Sequence, residues 1–519
     1  MLTRFWRLIT IAVFLGGPAR LAAQDDFEAF KRKEAEKLQS FVSKDDSAFA
    51  NCLKQDWKEF QLSRANQPLV RPKPKEIPKA PPVPAPAPSP SPAGNPPASA
   101  TPPAGGDAPA SAPTPLPTTP VPLVMPPLGN TPPKPRPVAT GAAPIQLASA
   151  NSIGTAFYGS VVQVPNVDLK LQPLPATITG EAIGAFWEQI SGSKFSDVLS
   201  ALQKQRELMQ LGDWAYAQLA FRTGLRLVKN DTMLARLVAW HTLIKSGYIA
   251  RIGYNASGVY VLLKSDDMLY GASFFTFGGS KFYVLDLGNK PTPRVGSIYT
   301  YDRDHPEAKK ALNFTMAELP LLPEDAMTRT LHFTYKQRSY DVKVAVNKNL
   351  VGFLAYYPQT QLNGYLDAEV PSSAMEAIVD GLRPIVAQQN EVEAVNIILR
   401  FVQTAFEYKT DGDQFGREKW MFPEETLFYP YSDCEDRAIL FAYLVRKLTP
   451  LDVVGLIYSD HVATAVKFNS VVPGDARTFN GQRYVVSDPT YIGADVGMEM
   501  PQYKGASPEI VPAHKLGQR

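Results

Sequence analysis

The stretch SDCEDRAILFAYLVRKL, residues 432–448, decides the fold of the C-terminal part of the chain. Ser432 followed three residues later by Glu435 has the pattern of a capping box, which predicts a helix that begins immediately before Cys434. Beyond Arg437 the run is apolar on nearly every face, as expected of a helix buried at the centre of a domain. Cys434 would lie in the first turn, where outward-pointing N–H groups and the helix dipole favour a thiolate.

Three apolar segments after this helix predict strands. They are LDVVGLIY (451–458), HVATAVKF (461–468) and QRYVVSDPT (482–490). His461 opens the second segment, and Asp488 ends the third. A cysteine at a helix start, a histidine on one strand and an aspartate on the next are the parts of a Cys-His-Asp catalytic unit. In such a unit His461 takes the thiol proton and Asp488 holds the imidazole in one tautomer.

Each of these residues also has a structural interpretation. A lone helical cysteine usually packs in a core, a histidine at a strand start is usually a satisfied polar group, and Asp-Pro commonly marks a turn. The chain has only five histidines in 519 residues. We therefore favour the catalytic interpretation for the three residues together, in this order.

The segments around these residues resemble the transglutaminase-like superfamily of papain-like cysteine enzymes. The similar segments are WMFPEETLFYPYSDCEDRAILFAYLV (420–445), HVATAV (461–466) and YVVSDPTYIGADVG (484–497), within a core of about 372–500. The resemblance implies an α+β, papain/transglutaminase-like C-terminal domain. It also implies acyl transfer from an amide through a thioester, either to water or to an amine.

For the individual residues, the resemblance implies that Cys434 is the nucleophile, His461 the general base and then general acid, and Asp488 the orienting carboxylate. Oxyanion stabilisation is expected partly from the Cys434 backbone N–H and partly from an upstream side-chain donor. The candidates for that donor are Trp420 and Gln414. The alternative for Trp420 is an ordinary core aromatic.

The W-x-x-P-E-E-T-L segment before D-C-E-D is similar to that of bacterial transglutaminase-like cysteine proteinases, some of which bind calcium through acids near the nucleophile. The calcium candidates here are Asp433, Glu435 and Asp436; no other cofactor is expected. This chain departs from the commoner pattern at Ser432, where a glycine often stands, and at Val462, where an aromatic often follows the histidine.

The three carboxylates beside Cys434 oppose a thiolate. Either they point away and serve the helix start, or a cation such as Arg437 or a bound calcium offsets them. We favour the charged helix start.

An upstream region repeats the order helix, strand, strand, strand. Tyr254 and Tyr458 differ by 204 positions, and the pairs Lys264/Lys467, Tyr283/Tyr484 and Asp286/Asp488 differ by 203, 201 and 202. A nearly constant offset suggests an internal repeat. At that offset Thr232 replaces the cysteine and Gly258 or Val259 the histidine, so the first copy would be catalytically silent. The alternative is a chance likeness of short apolar strands.

Composition divides the rest of the chain. The predicted organisation is a signal peptide (1–23), a helical segment forming a hairpin (24–66), a disordered proline-rich linker (67–145), an α+β domain (146–305), a β-rich connector (306–370) and the transglutaminase-like domain (371–519). The linker holds 28 of the 48 prolines. As a spacer, it would let the front helices hold a cell-envelope protein partner at a distance.

The second front helix is predicted to carry one apolar face. Its members at helical spacing are Phe49, Cys52, Leu53, Trp57 and Phe60. Free cysteine on such a face is usually a buried hydrophobe, so Cys52 is set aside.

The net charge of +3, from 53 basic and 50 acidic residues, gives no case for nucleic acid. A basic head, a short apolar run and a small-residue site at the N-terminus predict export to a periplasm or beyond, with no transmembrane span in the mature protein. The leading prediction is an exported cysteine hydrolase, a peptidase or amidase acting on a peptide or protein substrate. The alternatives are a protein-crosslinking transglutaminase and a non-catalytic envelope scaffold with a vestigial triad.

Overall fold

A computed structural model describes residues 44–63, 76–81, 151–290, 295–368 and 372–514. The predicted signal peptide and the first predicted front helix lie outside these residues. The described part is a mixed α+β structure with curled, half-barrel sheets. It consists of two halves, each with helices packed on an antiparallel sheet.

The N-terminal half carries five helices and eight strands. The helices are α1 (44–55), α2 (Gly180–Ser191), α3 (Phe195–Leu208), α4 (Asp213–Leu227) and α5 (Thr232–Lys245). The strands are β1 (Lys58–Phe60), β2 (Ser152–Phe157), β3 (Ser160–Pro165), β4 (Ala250–Asn255), β5 (Gly258–Lys264), β6 (Ser273–Phe277), β7 (Ser280–Val284) and β8 (Ile298–Thr300). One sheet has the order β1-β8-β4-β5-β7-β6, and β2 pairs with β3.

The hairpin β9 (Ala326–Tyr335) and β10 (Arg338–Asn347) leads into the C-terminal half. The helices that follow are α6 (Lys348–Leu354), α7 (Leu362–Leu366), α8 (Ser373–Val386), α9 (Glu391–Thr404), α10 (Asp411–Phe415), α11 (Pro423–Phe428) and α12 (Cys434–Leu448). The strands are β11 (Glu407–Tyr408), β12 (Tyr431–Ser432), β13 (Asp452–Ile457), β14 (Val462–Lys467), β15 (Ala476–Phe479), β16 (Gln482–Val486) and β17 (Glu509–Pro512). Five of these strands form a sheet in the order β15-β16-β14-β13-β17.

The two sheets share one topology. The order β6-β7-β5-β4-β8 in the first corresponds to β15-β16-β14-β13-β17 in the second, and all of these neighbours are antiparallel. In each half the strand that comes first along the chain, β4 or β13, follows a helix capped by an aspartate. The cap is Asp231 for α5 and Asp433 for α12. The helix order and the strand order therefore agree.

The strand registers agree as well. Tyr254 pairs with Val259, and Ile457 pairs with Val462, so both positions are offset by 203 residues. The next strand pair repeats with offsets of 203 and 202 residues: Leu263 opposite Tyr283, and Val466 opposite Val485. A chance likeness of apolar strands would leave the register of each pair free. A slip of one residue turns every side chain to the other face of the sheet, so a matching register in two strand pairs argues against chance.

Helix α1 packs into the core of the N-terminal half. The Phe49 ring lies 4.8 Å from the ring of Trp187. Asp46 accepts a hydrogen bond from Trp187 Nε1 at 3.2 Å and lies 3.3 Å from the Lys245 ammonium. This part of the chain is therefore built into the globular body, whereas the sequence analysis places it on a spacer away from that body.

The predicted apolar face of this helix extends too far along the chain. Helix α1 ends at residue 55, so Trp57 lies beyond it and Phe60 belongs to β1. Strand β1 pairs with β8 at the edge of the six-stranded sheet. Pairing with a distant strand overrides the helical spacing, which is a local signal.

A short part of the proline-rich region lies on the C-terminal half. Lys79 forms a parallel bridge with Ile492. Ala80 N donates to the Ile492 carbonyl at 2.7 Å, and Ile492 N donates to the Pro78 carbonyl at 2.9 Å. Residues 76–81 thus pair with the domain as an extended chain, inside the range predicted to be linker.

The predicted β-rich connector, 306–370, contains helices as well as strands. The strands β9 and β10 form a hairpin. Helix α6 follows directly from Lys348, where the Asn347 side chain accepts from Asn349 N and caps the helix. None of the helices in the described ranges combines the length and apolarity needed to cross a bilayer.

Candidate functional site

Helix α12 begins at Cys434, where the sequence predicts it. The capping box, however, is formed by Asp433 and Asp436, one residue later than the predicted pair of Ser432 and Glu435. Asp433 takes the extended backbone conformation of an N-cap. Cys434 therefore lies at the first helical position, in the turn whose backbone N–H groups point out of the helix.

His461 and Asp488 come together on neighbouring strands. His461 directly precedes β14, and Asp488 lies two residues beyond β16, which pairs with β14. His461 Nε2 lies 2.8 Å from Asp488 Oδ2. The second carboxylate oxygen of Asp488 accepts from Thr490 N at 2.9 Å, and its carbonyl accepts from Gln403 Nε2 at 3.2 Å. The carboxylate is thus held in place to orient the imidazole.

The other imidazole nitrogen, His461 Nδ1, is buried and has no hydrogen-bond partner among the described residues. Leaving a buried polar atom unsatisfied is unfavourable, and such atoms call for an explanation. A nitrogen that accepts a proton during a reaction must be open to the donor in the resting state. The vacancy at Nδ1 fits that role.

Tyr503 covers the imidazole of His461. Its ring stacks on the His461 ring at 5.3 Å with an interplanar angle of 11°. The pKa of Tyr503 is raised, first by burial and then by its hydrogen bond to Asp460. The tyrosine is therefore packed on one face of the imidazole and held there by an acceptor of its own.

The carboxylates beside Cys434 have different partners. Asp433 Oδ2 accepts from Asp411 N at 3.1 Å, and Asp436 Oδ1 accepts from Met421 N at 2.8 Å. These two serve the backbone at the helix start, as the favoured interpretation expects. Glu435 differs, because its Oε2 accepts from the Cys434 thiol at 3.2 Å. This bond holds the proton on sulfur until a base removes it.

The calcium candidates do not lie in one group. Carboxylate oxygens of Asp433 and Asp436 lie within 4.8 Å of those of Asp411, whereas Glu435 lies with Asp411 and Glu418. Ca²⁺ takes six to eight oxygen ligands. The Asp433 and Asp436 carboxylates already accept backbone N–H bonds. This donor set fits a helix cap better than a calcium cage, so we derive no chemistry from a metal.

Two buried cations lie among these acids. Lys419 Nζ forms an ion pair with Glu425 Oε1 at 2.6 Å. Arg437 is fully buried and donates to a serine hydroxyl and to two backbone carbonyls: Ser432 at 3.1 Å, Gln403 at 3.2 Å and Phe406 at 2.9 Å. Burial lowers the pKa of Arg437 to about 10, so it stays charged at neutral pH and offsets the nearby carboxylates.

Glu424, on helix α11, shows how strongly the segment before α12 is shielded from solvent. Burial raises the pKa of Glu424 to about 7, although Ser372 donates to it. Because the folded-state pKa lies above the unfolded one, the protonated form supports folding below about pH 4.5, and that support is lost as the pH rises towards 7. At 1.36 kcal/mol per pKa unit, the loss is roughly 3 kcal/mol.

We expect Glu424→Gln to remove this pH dependence. Urea unfolding at pH 5 and pH 8 should show that the parent protein loses roughly 3 kcal/mol more unfolding free energy than the variant. Glu324→Gln, at an exposed position, is the control and should follow the parent. Equal losses in parent and Glu424→Gln would contradict the prediction.

The two side-chain oxyanion candidates lie on the segment before α12. Trp420 Nε1 donates to Glu418 Oε1 at 3.2 Å. The Trp420 ring lies 5.7 Å from the ring of Tyr365 and lines a surface cavity. Gln414 is half-buried on α10. The oxyanion role of either side chain, and of the Cys434 backbone N–H, stays a prediction.

The corresponding positions in the first half carry no such unit. Thr232 begins α5 where Cys434 begins α12, and Gly258 begins β5 where His461 precedes β14. The remaining aspartate, Asp286, accepts from Gly288 N at 2.8 Å and Lys290 N at 2.9 Å. It fixes its own loop, so the same topology stands here without a thiol or an imidazole.

Sequence reasoning missed Tyr503 and Asp411. Tyr503 lies in a short 3-10 helix, Pro501–Tyr503, whose position over the imidazole depends on the C-terminal strand β17 returning to the sheet. Asp411 lies 22 residues before its partner Asp433, and no local spacing relates the two.

Neither a scan against protein-family models nor a search of curated proteins finds a match to this chain.

Proposed function

We propose that this protein is an exported cysteine hydrolase of the transglutaminase-like kind, a peptidase or amidase that cleaves peptide or protein amides. The observation that carries the proposal is the state of His461. One of its nitrogens lies 2.8 Å from Asp488, and the other is buried and unpartnered. An imidazole fixed on one side and open on the other is what proton transfer from a thiol requires.

The proposed reaction has two stages. His461 takes the thiol proton, the Cys434 sulfur attacks the amide carbon, and the oxyanion forms near the Cys434 backbone N–H. The protonated imidazole then gives its proton to the leaving amine, and a thioester remains. In the second stage His461 takes a proton from water, the hydroxide attacks the thioester, and the carboxylic acid leaves as the thiol is restored.

A non-catalytic scaffold is the second candidate, and two observations favour it. Cys434 is only 1% exposed, and its thiol donates to Glu435. Both features are also typical of a structural cysteine. For an amide to reach the sulfur, a covering segment has to move. Tyr503 at the end of the Pro501–Tyr503 helix stacks on His461, so we propose this helix as that segment.

Alkylation of the two cysteines separates these candidates. Cys52 is 7% exposed, and burial raises its pKa to about 11, so it serves as a slow internal reference. Solvent access alone would make Cys52 react faster than Cys434. We expect the opposite order with iodoacetamide at pH 7, measured by mass spectrometry of the mature protein, because activation by His461 outweighs the lower exposure of Cys434.

Equal slow labelling of both thiols would favour the scaffold. If Cys434 reacts first, incubation with casein and a labelled amine separates the two enzymatic outcomes. New peptide termini indicate transfer to water. Incorporation of the amine indicates the crosslinking transferase.

A further inference from the structure

Two cavities adjoin each other between the halves of the molecule. The smaller has a volume of about 290 Å³ and the larger about 570 Å³. Tyr270 and Gln359 line both cavities, so the two are neighbours. Glu418 lines the larger one, and its carboxylate lies within 4.8 Å of that of Glu435, which accepts from the Cys434 thiol. Together the two cavities form a cleft beside the candidate active site.

One wall of the cleft is the open edge of a sheet. Strand β17 is the outermost strand, and Ala513 N donates to the Val453 carbonyl of β13. In an antiparallel pair the hydrogen-bonded positions alternate, so Val511 also faces β13. Ile510, the next residue before Val511, therefore turns its N–H and C=O away from β13. No strand of the described ranges pairs with this edge, and Ile510 lines the smaller cavity, so the edge faces the cleft.

The opposite part of the cleft holds a buried donor without a partner. Trp214 on α4 is 2% exposed, and its Nε1 has no hydrogen-bond partner among the described residues. Trp214 lines the larger cavity. A buried N–H left unsatisfied is unfavourable. An acceptor supplied by a ligand in the cavity would satisfy it.

The chain itself shows how this protein holds an extended segment. Residues 78–80 pair with Ile492 through two backbone hydrogen bonds, Ala80 N to the Ile492 carbonyl and Ile492 N to the Pro78 carbonyl. Backbone pairing of this kind needs no particular side chain, since every residue carries a carbonyl. It is the chemistry by which a strand edge accepts a peptide.

We propose that the cleft binds an extended peptide as an added strand. The peptide backbone pairs with Ile510, one of its carbonyls accepts from Trp214 Nε1, and an apolar side chain lies against the Tyr270 and Trp420 rings, which contact each other at 6.5 Å between centroids. This inference rests on the proposed function and deepens it. The occupant is the part of the substrate that lies to one side of the bond cut at Cys434.

The test uses the mature protein carrying Cys434→Ala, which binds without turnover, and fluorescently labelled casein, an unfolded protein, as the probe. Fluorescence anisotropy gives the affinity, and hydrogen–deuterium exchange locates the contact. We expect casein to slow the exchange of the segment 509–512, where Ile510 carries the outward-facing N–H and Pro512 carries none. Trp214→Phe, which removes the N–H and keeps an aromatic ring, should weaken binding three- to tenfold.

Ile510→Pro removes the outward N–H and should weaken binding by a similar factor, because proline is tolerated on an edge strand. Tyr299→Phe, at an exposed tyrosine on β8, is the control and should bind as the parent does. Thermal unfolding of each variant shows whether it remains folded. Absence of protection at 509–512 under saturating casein, or parental affinity in both cleft variants, would overturn the inference.

The outcome separates the two proposals. If Cys434 is labelled rapidly and casein leaves 509–512 unprotected, the proposed hydrolase is supported and the peptide-binding cleft is wrong. If casein protects 509–512 and Cys434 is labelled no faster than Cys52, the cleft is supported as a peptide site and the proposed hydrolase is wrong.

Discussion

Replacing His461 with alanine is expected to lower the alkylation rate of Cys434 by 10²–10⁴-fold at pH 7, the range for a positioned general base. The thiol donates to Glu435, so the protonated form is held in place and a base is required to remove the proton. His461 has one nitrogen on Asp488, and its second nitrogen has no hydrogen-bond partner among the described residues. The measurement is the second-order rate with iodoacetamide, read by mass spectrometry of the Cys434 peptide.

Two further variants sharpen this test. Asp488→Asn keeps the size of the side chain but removes the charge that orients the imidazole, so its rate should lie between those of the parent and His461→Ala. His332→Ala is the matched control, because His332 is exposed on β9 and bonds to Asp341. If Cys434 is alkylated in His461→Ala at the rate of the parent protein, the catalytic interpretation is wrong.

Replacing Arg437 with methionine is expected to destabilise the protein by about 3–5 kcal/mol, the cost of breaking a buried charged network by removing one partner. Arg437 is fully buried and donates to Ser432 and to the carbonyls of Gln403 and Phe406. Methionine fills much of the same volume. It leaves both carbonyls and the neighbouring carboxylates uncompensated. Urea unfolding at pH 7 measures the change.

The matched control is the same substitution at Arg383, which is largely exposed and lies 3.9 Å from Asp380. Exposed ion pairs of this kind contribute little, so Arg383→Met should change the unfolding free energy by less than about 1 kcal/mol. If Arg437→Met is equally mild, the network around α12 is not what holds the helix start.

Local signals were enough to predict the helix at Cys434 and the strands that carry His461 and precede Asp488. The apolar run and the polar residues at its head are properties of neighbouring residues, so they can be recognised without the fold. The offset of about 203 residues between the halves is also legible in the chain. The shared strand order and register correspond to it.

The same local signals misplaced two boundaries. The capping box falls on Asp433 and Asp436, because Asp433 takes the extended conformation and its carboxylate also binds the backbone of Asp411. Helix α1 ends before Trp57, because the next residues pair with β8. In both cases the boundary depends on a contact with a residue distant in the chain, because the local pattern fits both positions of the boundary about equally well.

The sequence by itself determined where the helix of Cys434 begins and which strands lie next to His461 and Asp488, and it suggested a second unit of the same order. Only the tertiary structure decided that His461 has one nitrogen on Asp488 and the other without a hydrogen-bond partner among the described residues, and that Tyr503 covers the imidazole. It also decided that Trp214 and the edge of β17 line one cleft. The physical reason is that periodicity and caps depend on residues a few positions apart, whereas hydrogen-bond partners, burial and cavities depend on how distant segments pack.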